Sequence, residues 1–403
     1  MAQIVAPTDL VGARSPIYIT VAEAADTVDA PVDVSIEIFV WSSDYGSRPS
    51  NPDYTLFRDK FVSHTSGDTF QVAFDIAPMV REEMEGVFDT NITRTSPTGE
   101  KNNNIVWVDI DYDLNYYSVS TPTVITNVTG SSGTFAVSDG YHEYEEGANA
   151  AATDGYLNST STVYVKDDGY EMVSTYLGEK DSETIDEVAY KVGGVVKYTF
   201  DITSRHGSVQ PEDQITRLPI GPIGLNNYLT SDGYTGAASD RPINQDEWEI
   251  VLLDSLAAEV ATLKVIKQCE PKYTTQTIRF LNKYGTWEFL NFFKRSDDDL
   301  EVTSEEYRKS NLTVAYSGVS YDTDIEQYKK FNTNGRVRTT LNTGWVSEDH
   351  KEAIKQLLIS ERVMLDTKPV NVVSSSARLQ KAINEKTINY TIQVEEAFDT
   401  RYV

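Results

Sequence analysis

The acidic side chains are the residues of this chain whose spacing most readily suggests chemistry. Asp109, Asp111 and Asp113 form an Asp-x-Asp-x-Asp pattern, which opens calcium-binding loops. Such a loop also needs glycine at its sixth position and glutamate at its twelfth, and here those positions are Leu114 and Ser120. We therefore interpret the three carboxylates as the solvated face of a strand.

A second acidic group consists of Asp297, Asp298, Asp299 and Glu301, which follow two basic residues. Four close carboxylates could in principle hold a metal ion, but a short acidic run is more typical of a solvated hairpin tip. The sequence thus predicts neither a metal site nor a cofactor.

The histidines, the cysteine and the carboxylates of this chain do not form a known catalytic motif. The four histidines (His64, His142, His206 and His350) lie in unrelated contexts, and no nucleophile elbow, P-loop or dinucleotide fingerprint occurs. Cys269 is the only cysteine, which excludes an intrachain disulfide and a cysteine-based zinc site, and we expect it to be a small buried residue. Glycoside hydrolysis needs only two carboxylates, and the sequence cannot select a pair among 62 acidic residues. We predict that the protein is not an enzyme.

Aromatic side chains beside carboxylates offer a third kind of site, because such surfaces bind sugars. The candidates for an aromatic binding surface are Trp41, Tyr45, Trp287 and Trp345. Packing in a core or an interface is the competing interpretation, and it is the more typical one for these residue types.

Composition excludes several classes of partner. The chain has 403 residues and a formal net charge of −27, which repels nucleic-acid phosphates and anionic membrane surfaces. No stretch approaches 18 apolar residues, and residues 1–10 lack the features of a secretory signal. We expect a protein made in the bacterial cytoplasm that binds neither nucleic acid nor membrane.

Alternating apolar residues predict a mainly β fold. Val32, Val34, Ile36, Ile38 and Val40 share one face of a strand, and the 24 tyrosines favour pleated surfaces. We predict two to three immunoglobulin-like or fibronectin-like β-sandwich domains with a few short helices.

Changes in composition divide the chain into three predicted domains. Residues 1–118 form an N-terminal β-sandwich, and residues 119–270 form a β domain rich in Gly, Tyr and Asp, in which 217–227 are a linker or long loop. Residues 271–403 form a C-terminal sandwich with one flanking helix at about 347–360. Ser347 is the expected N-cap of that helix, and Ala353, Ile354, Leu357 and Leu358 are its apolar stripe.

The C-terminal third also resembles a known class of protein. Residues 275–400 resemble structural virion proteins of tailed bacteriophages that infect marine or Bacteroidetes-type bacteria. The matching segments are Phe280–Glu288, Phe293–Arg295, Leu341–Val346, Ile354–Leu358, Pro369–Val372 and Ile388–Glu395. The likeness is looser over the N-terminal sandwich and does not extend to the middle region.

This resemblance implies a non-enzymatic component of the tail region, such as a baseplate protein or a fibre adaptor. It implies no catalytic residues, and the expected partners are other virion proteins and further copies of this chain. Two alternatives remain: a carbohydrate- or receptor-binding module of the tail tip, whose partner would be a host surface glycan, and a head–tail neck or decoration protein.

Overall fold

A computed structural model describes residues 2–23, 32–58, 70–84, 93–99, 105–117, 123–178, 184–202, 215–374 and 387–401. Strands dominate these residues, and three short α-helices accompany them. The prediction of a mainly β fold built from packed sheets with a few short helices is confirmed.

Two facing sheets form the N-terminal sandwich. Its elements are β1 (Ala2–Val5), β2 (Val11–Gly12), β3 (Tyr18–Glu23), β4 (Val32–Trp41), β5 (Tyr54–Arg58), β6 (Phe70–Asp75), α1 (Ala77–Glu82), β8 (Ile105–Tyr117), β9 (Val124–Ser131) and β10 (Phe135–Ser138), with β7 (Thr98–Gly99) lying between α1 and β8 in the chain. One sheet has the order β1-β3-β6 and the other β2-β10-β8-β4-β5, with β9 also paired to β8. The alternating residues of β4 and β8 fill the core between the two sheets, as their period of two predicts.

The N-terminal sheet extends beyond the predicted boundary at residue 118. Both β9 and β10 pair with β8, in registers such as Leu114 opposite Val128 and Val106 opposite Val137. Conversely, β7 pairs with a strand of the middle region. The change in composition near residue 118 marks a change in turn content and not the end of a sheet.

The middle region is a second pair of sheets. Its elements are β11 (Gly155–Tyr156), β12 (Thr162–Lys166), β13 (Met172–Tyr176), β14 (Glu187–Val192), β15 (Val195–Asp201), β16 (Ile215–Pro219), α2 (Pro222–Ser231), β17 (Glu247–Leu253) and β18 (Glu259–Gln268). The sheets have the orders β11-β13-β16-β7 and β12-β18-β17-β14-β15.

The prediction of a linker over residues 217–227 is wrong. These residues form the end of β16 and most of α2, whose Leu225, Tyr228 and Leu229 are buried in the core. Pro222 occupies the first turn of the helix, where a backbone N–H has no acceptor within the helix, so the proline costs no hydrogen bond. The same proline and glycine content that suggested a loop therefore starts a helix.

The C-terminal region is built on one seven-stranded sheet. Its elements are β19 (Gln276–Leu281), β20 (Trp287–Phe292), β21 (Asp297–Arg308), β22 (Leu312–Ala315), β23 (Gly318–Tyr321), β24 (Tyr328–Ser347), α3 (His350–Ile359), β25 (Val363–Leu365), β26 (Lys368–Val372) and β27 (Thr387–Glu396). The sheet order is β20-β19-β25-β26-β27-β24-β21, and β22 and β23 form a separate two-stranded sheet.

We predicted a C-terminal sandwich flanked by a helix, whereas this region has one large sheet with α3 packed into its core. Ala353, Ile354 and Leu357 of α3 pack into the core of the seven-stranded sheet, which confirms the predicted apolar stripe. The sheet also curls, so that strands that are not neighbours in it meet. Lys294 N, just after β20, donates a hydrogen bond to Asn342 O of β24 at 3.1 Å. The helix begins after Asp349 and not after Ser347, and Asp349 makes no side-chain capping bond.

Close contacts fix the N-terminal and C-terminal regions against each other. Tyr141 N donates to Lys283 O at 2.7 Å, and a Cβ on Gly285 would lie 2.7 Å from the carbonyl carbon of Asp139. Arg14 donates to both carboxylate oxygens of Asp139, at 2.8 and 3.0 Å, and also pairs with Glu361. The close backbone approach and the Arg14–Glu361 ion pair, which both cross between the two regions, predict a rigid junction.

Candidate functional site: an exposed β-arm

The most unusual surface of the protein is a long hairpin that leaves the seven-stranded sheet. Within β24, residues 338–347 pair with β27, whereas residues 328–337 pair with β21 alone. Residues 334–336 are also held by the segment that follows β27, for example by Thr400 N, which donates to Gly335 O at 2.7 Å. The part of β24 beyond these bonds, residues 328–333, extends about 20 Å at about 3.4 Å per residue. We call residues 297–337 the arm, residues 312–321 its tip, and the paired parts of β21 and β24 its stem.

The tip is a small hairpin with one apolar and one polar face. Leu312 lies opposite Tyr321 and Val314 opposite Val319, so these four side chains share a face, and all four are 56–73% exposed. The pair of Thr313 and Ser320 lies on the other face, since side chains alternate along a strand. Tyr316, in the turn between the strands, is fully exposed.

Charge separates the stem from the tip. The stem strand β21 carries six carboxylates and one arginine, and its ion pairs include Glu301 with Arg338 at 2.6 Å and Glu306 with Lys330 at 3.7 Å. Charged side chains on an edge strand discourage pairing with other chains. None of the ten residues of the tip is charged, so the tip lacks this protection against pairing with other chains.

Local hydrogen bonds hold the tip on the stem. Asn311 Nδ2 donates to Ile325 O at 2.9 Å and to Glu326 O at 3.2 Å, and Lys309 N donates to Gln327 O at 2.7 Å. A hollow of about 750 Å³ opens at this join. These bonds connect the two chain segments that enter and leave the tip, so the tip has a defined position.

The four aromatic candidates lie in different environments and do not form one surface. Trp41 is buried in a cluster with Trp107, and Tyr45 packs its ring edge-on against Trp107 at 5.2 Å. Trp287 is 1% exposed on β20, whereas Trp345 on β24 is 63% exposed. Packing inside the protein accounts for the positions of Trp41, Tyr45 and Trp287. Because Trp41 and Trp287 are buried, neither can be part of a binding surface. Only Trp345 of the four retains that role as a candidate.

The Asp-x-Asp-x-Asp segment forms strand β8, as predicted, but its first carboxylate is not solvated. Asp109 is buried and accepts hydrogen bonds from Arg48 Nη1 at 2.7 Å and from Ser131 Oγ at 2.9 Å. Arg48 also pairs with Asp111. A guanidinium held against two carboxylates supplies the charge that a cation would otherwise provide, so this arrangement does not favour calcium.

The prediction of a hairpin tip at residues 297–301 is wrong, because they begin strand β21. Asp298 accepts from Thr339 Oγ1 across the arm at 2.7 Å. Among the described residues, no group of three or more His, Cys, Asp or Glu side chains could hold a metal ion. The expectation of a buried Cys269 is also wrong, because its side chain is exposed at the end of β18.

Two fully buried carboxylates lie where the middle region meets the C-terminal sheet. Glu288 accepts hydrogen bonds from Ser159 N at 3.1 Å, from Asn282 Nδ2 at 3.0 Å and from Ser159 Oγ. Burial raises the pKa of Glu288 to about 7.

Glu171 is the second of these carboxylates. It accepts from Asn291 Nδ2 at 2.7 Å, and burial also raises its pKa. It borders a cavity of about 70 Å³, which holds a few water molecules at most and no sugar ring. Hydrogen bonds across the domain junction reach both oxygens of Glu288, whereas Glu171 accepts them at Oε1 and its buried Oε2 has no hydrogen-bond partner in the described part of the structure. The cavity beside Glu171 is nevertheless too small for a substrate, so the site does not have the setting of a glycosidase.

Sequence reasoning missed the arm, although a signal for it was present. Leu312, Val314, Val319 and Tyr321 alternate with small or polar residues around a Ser-Gly dipeptide, which is a hairpin pattern. The acidic run before it drew attention to charge instead of to alternation. No pattern in one sequence indicates that the hairpin projects from the body, because its exposure follows from the tertiary structure.

Comparisons with known proteins add little to this picture. No family model and no curated protein matches the chain. The solved structures that resemble it include a marsupial T cell receptor (9% identity, 85% of this chain and 96% of that one, TM-score 0.16), Drosophila OTK extracellular domains 3–5 (6%, 84% and 92%, 0.20), and invasin, a bacterial integrin-binding protein (10%, 85% and 56%, 0.20). Superpositions this poor carry no argument about the function of this chain.

The described residues also contain no helix that is long and apolar enough to cross a membrane.

Proposed function

We propose that the chain is a non-enzymatic structural protein of a bacteriophage virion, that it belongs to the tail region, and that it acts by binding other virion proteins and copies of itself. The exposed β-arm is the observation that carries this proposal. A projecting hairpin with an apolar, uncharged tip has no use in an isolated protein, since exposed apolar patches promote association.

The remaining features of the molecule support assembly over catalysis. The arm projects from a body whose N-terminal and C-terminal regions are joined by close backbone contacts and by the ion pair of Asp139 with Arg362, so it is presented from a rigid base. Each of the two buried carboxylates accepts a hydrogen bond from the neighbouring region, Glu288 from Ser159 N and Glu171 from Asn291 Nδ2, and these bonds help to fix the regions together. A subunit of a large particle needs both properties, because assembly requires defined geometry at each contact.

Negative-stain microscopy of purified virions tests the proposal, with an antibody raised against the body of the chain as the label. We expect label on the tail at regularly spaced positions. The absence of label from particles that otherwise stain as complete virions would refute the proposal. Label on the neck or the capsid would keep a structural role and replace the tail assignment with the neck or decoration alternative.

A sugar-binding role for the tail tip is the second candidate, and the exposed Trp345 is the observation that favours it. A glycan array probed with the wild-type chain and with Trp345→Ala tests it. Binding that the substitution abolishes would support this role, and the absence of binding by the wild-type chain would exclude it for the glycans on the array.

A further inference from the structure

We propose that the arm turns about a β-bulge in its stem and that residues 397–401, just after β27, hold it in one direction. We call these five residues the clasp. The inference goes beyond the proposed function and does not depend on it, because it concerns only how one chain holds its own arm. Its evidence is the position of the bulge, the hydrogen bonds that end directly below it, and the exposure of the clasp.

A shift in register divides the stem into two ladders. Thr303 of β21 lies opposite Asn334 of β24. The next pair is Glu305 with Phe331, so one residue of β21 faces two residues of β24. Asn332, one of those two, has a φ of 50°, a left-handed conformation that is uncommon for residues other than glycine. An extra residue bends the strand that carries it and interrupts the ladder, so the stem bends at this bulge.

The bulge separates a narrow ribbon from a wide sheet. Beyond it, residues 305–308 pair with residues 328–331, and neither strand has a further strand beside it there within the described part of the chain. Below it, β24 continues into the seven-stranded sheet, where residues 338–347 pair with β27. A ribbon of two strands is marginally stable by itself, and the interrupted ladder is its weakest point. The direction of the arm relative to the sheet is therefore set at the bulge.

The clasp attaches to β24 directly below the bulge. Asn334 Nδ2 donates to Arg401 O at 2.8 Å, and Arg401 N donates to Asn334 Oδ1 at 3.0 Å. Thr400 N donates to Gly335 O at 2.7 Å. These bonds place the clasp beside β24 in the interval between the end of its pairing with β27 and the bulge. Without the clasp, β24 would lose this neighbour over the residues that carry the bend.

The contacts that hold the clasp are exposed to water. All five of its residues are exposed, and its other contacts include a hydrogen bond from Ala397 N to Pro369 O at 3.1 Å and the ion pair of Asp399 with Arg336 at 2.7 Å. Exposed ion pairs add little stability, and segments with few buried contacts open locally while the rest of a protein stays folded. The clasp can therefore open without unfolding the sheet, and opening it frees the arm to turn about the bulge.

Pulsed electron paramagnetic resonance between two spin labels measures the direction of the arm. The labels are attached to Lys329→Cys in the arm and Thr391→Cys in β27, both at exposed positions, in a Cys269→Ser background that removes the natural exposed thiol. We expect one narrow distribution of distances in this chain. Adding Asn334→Ala, which removes both side-chain bonds to Arg401, should broaden the distribution.

Two further chains make the comparison specific. A chain that ends at Glu396 lacks the clasp and should give the same broad distribution as Asn334→Ala. Asn371→Ala is the matched control, since Asn371 is an exposed asparagine of β26 that takes no part in the bonds of the clasp, and it should leave the distribution narrow.

Hydrogen exchange followed by mass spectrometry reports on the clasp itself. The backbone amides of residues 397–401 should exchange roughly tenfold faster in Asn334→Ala than in the wild-type chain, since two hydrogen bonds worth a few-fold each are lost. Asn371→Ala should exchange there at the wild-type rate.

Three results would overturn the inference. A distribution equally narrow in every chain would show that the arm is held without the clasp, and a distribution already broad before Asn334→Ala is added would show that the clasp does not hold the arm. Equal exchange of residues 397–401 in Asn334→Ala and the wild-type chain would show that the bonds to Arg401 are absent. Thermal unfolding of each variant verifies that the body remains folded, and the antibody labelling of virions tests the proposed function separately.

Discussion

Replacing Glu288 by glutamine should make the protein more stable above neutral pH. The glutamine oxygen can accept from Ser159 N and Asn282 Nδ2 in place of Oε2, while its amide donates to Ser159 Oγ in place of Oε1. Every partner of the carboxyl group therefore keeps a hydrogen bond. The substitution removes only the buried charge.

The raised pKa of Glu288 fixes the size and sign of this effect. Between its ordinary value of 4.5 and its folded value of about 7, the unfolded chain has lost the proton and the folded chain still holds it. The folded state then binds more protons, so the free energy of unfolding falls as the pH rises through this window. The full penalty is about 3 kcal/mol, and most of it falls between about pH 5 and pH 8.

Urea unfolding of the wild-type chain and of Glu288→Gln, each at about pH 5 and pH 8, measures this penalty. We expect similar stability at the lower pH and an advantage of about 2–3 kcal/mol for Glu288→Gln at the higher pH. Burial lowers the pKa of His350 to about 4, which gives a pH dependence of opposite sign, but this contribution is common to both proteins and cancels in their difference. Glu145→Gln, at an exposed position, controls for the change in net charge. A stability difference that is equal at the two pH values would refute the reasoning.

Two further predictions concern the packing of the domain junction and of the tryptophans. Gly285→Ala should destabilise the protein by about 1–3 kcal/mol more than Gly133→Ala in urea unfolding. Both glycines have positive φ, but only at Gly285 would a Cβ meet backbone within 3 Å, so equal losses would show that the close approach is absent. Trp287→Ala should cost about 3–5 kcal/mol and Trp345→Ala about 0.5 kcal/mol or less in thermal unfolding, and a reversed order would contradict the assignment of buried and exposed tryptophans.

Local alternation explains why the fold class could be predicted. Val106, Val108 and Ile110 of β8 lie on one face because a strand has a period of two, and this pattern is visible without any tertiary information. The stripe that Ile354 and Leu357 form on α3 is equally local, since its spacing is that of a helix. Patterns of this kind recover strands and helices whose faces differ in polarity.

Features that depend on the tertiary structure could not be predicted in the same way. The Pro- and Gly-containing segment that starts α2 reads as a loop until the core it contacts is known. Trp41 and Trp345 are the same residue type beside similar neighbours, yet one is buried and the other exposed, because burial depends on distant strands. The candidate site is the extreme case, since the tip is ordinary as a hairpin and unusual only in projecting away from the body.

Separation of virion heads from tails, followed by mass spectrometry of each fraction, tests the central claim most directly. If the chain is a structural component of the tail, its peptides should be recovered from tails in a constant ratio to other tail proteins and should be depleted from heads. Recovery from neither fraction, with the chain present only in the lysate of infected cells, would contradict the account.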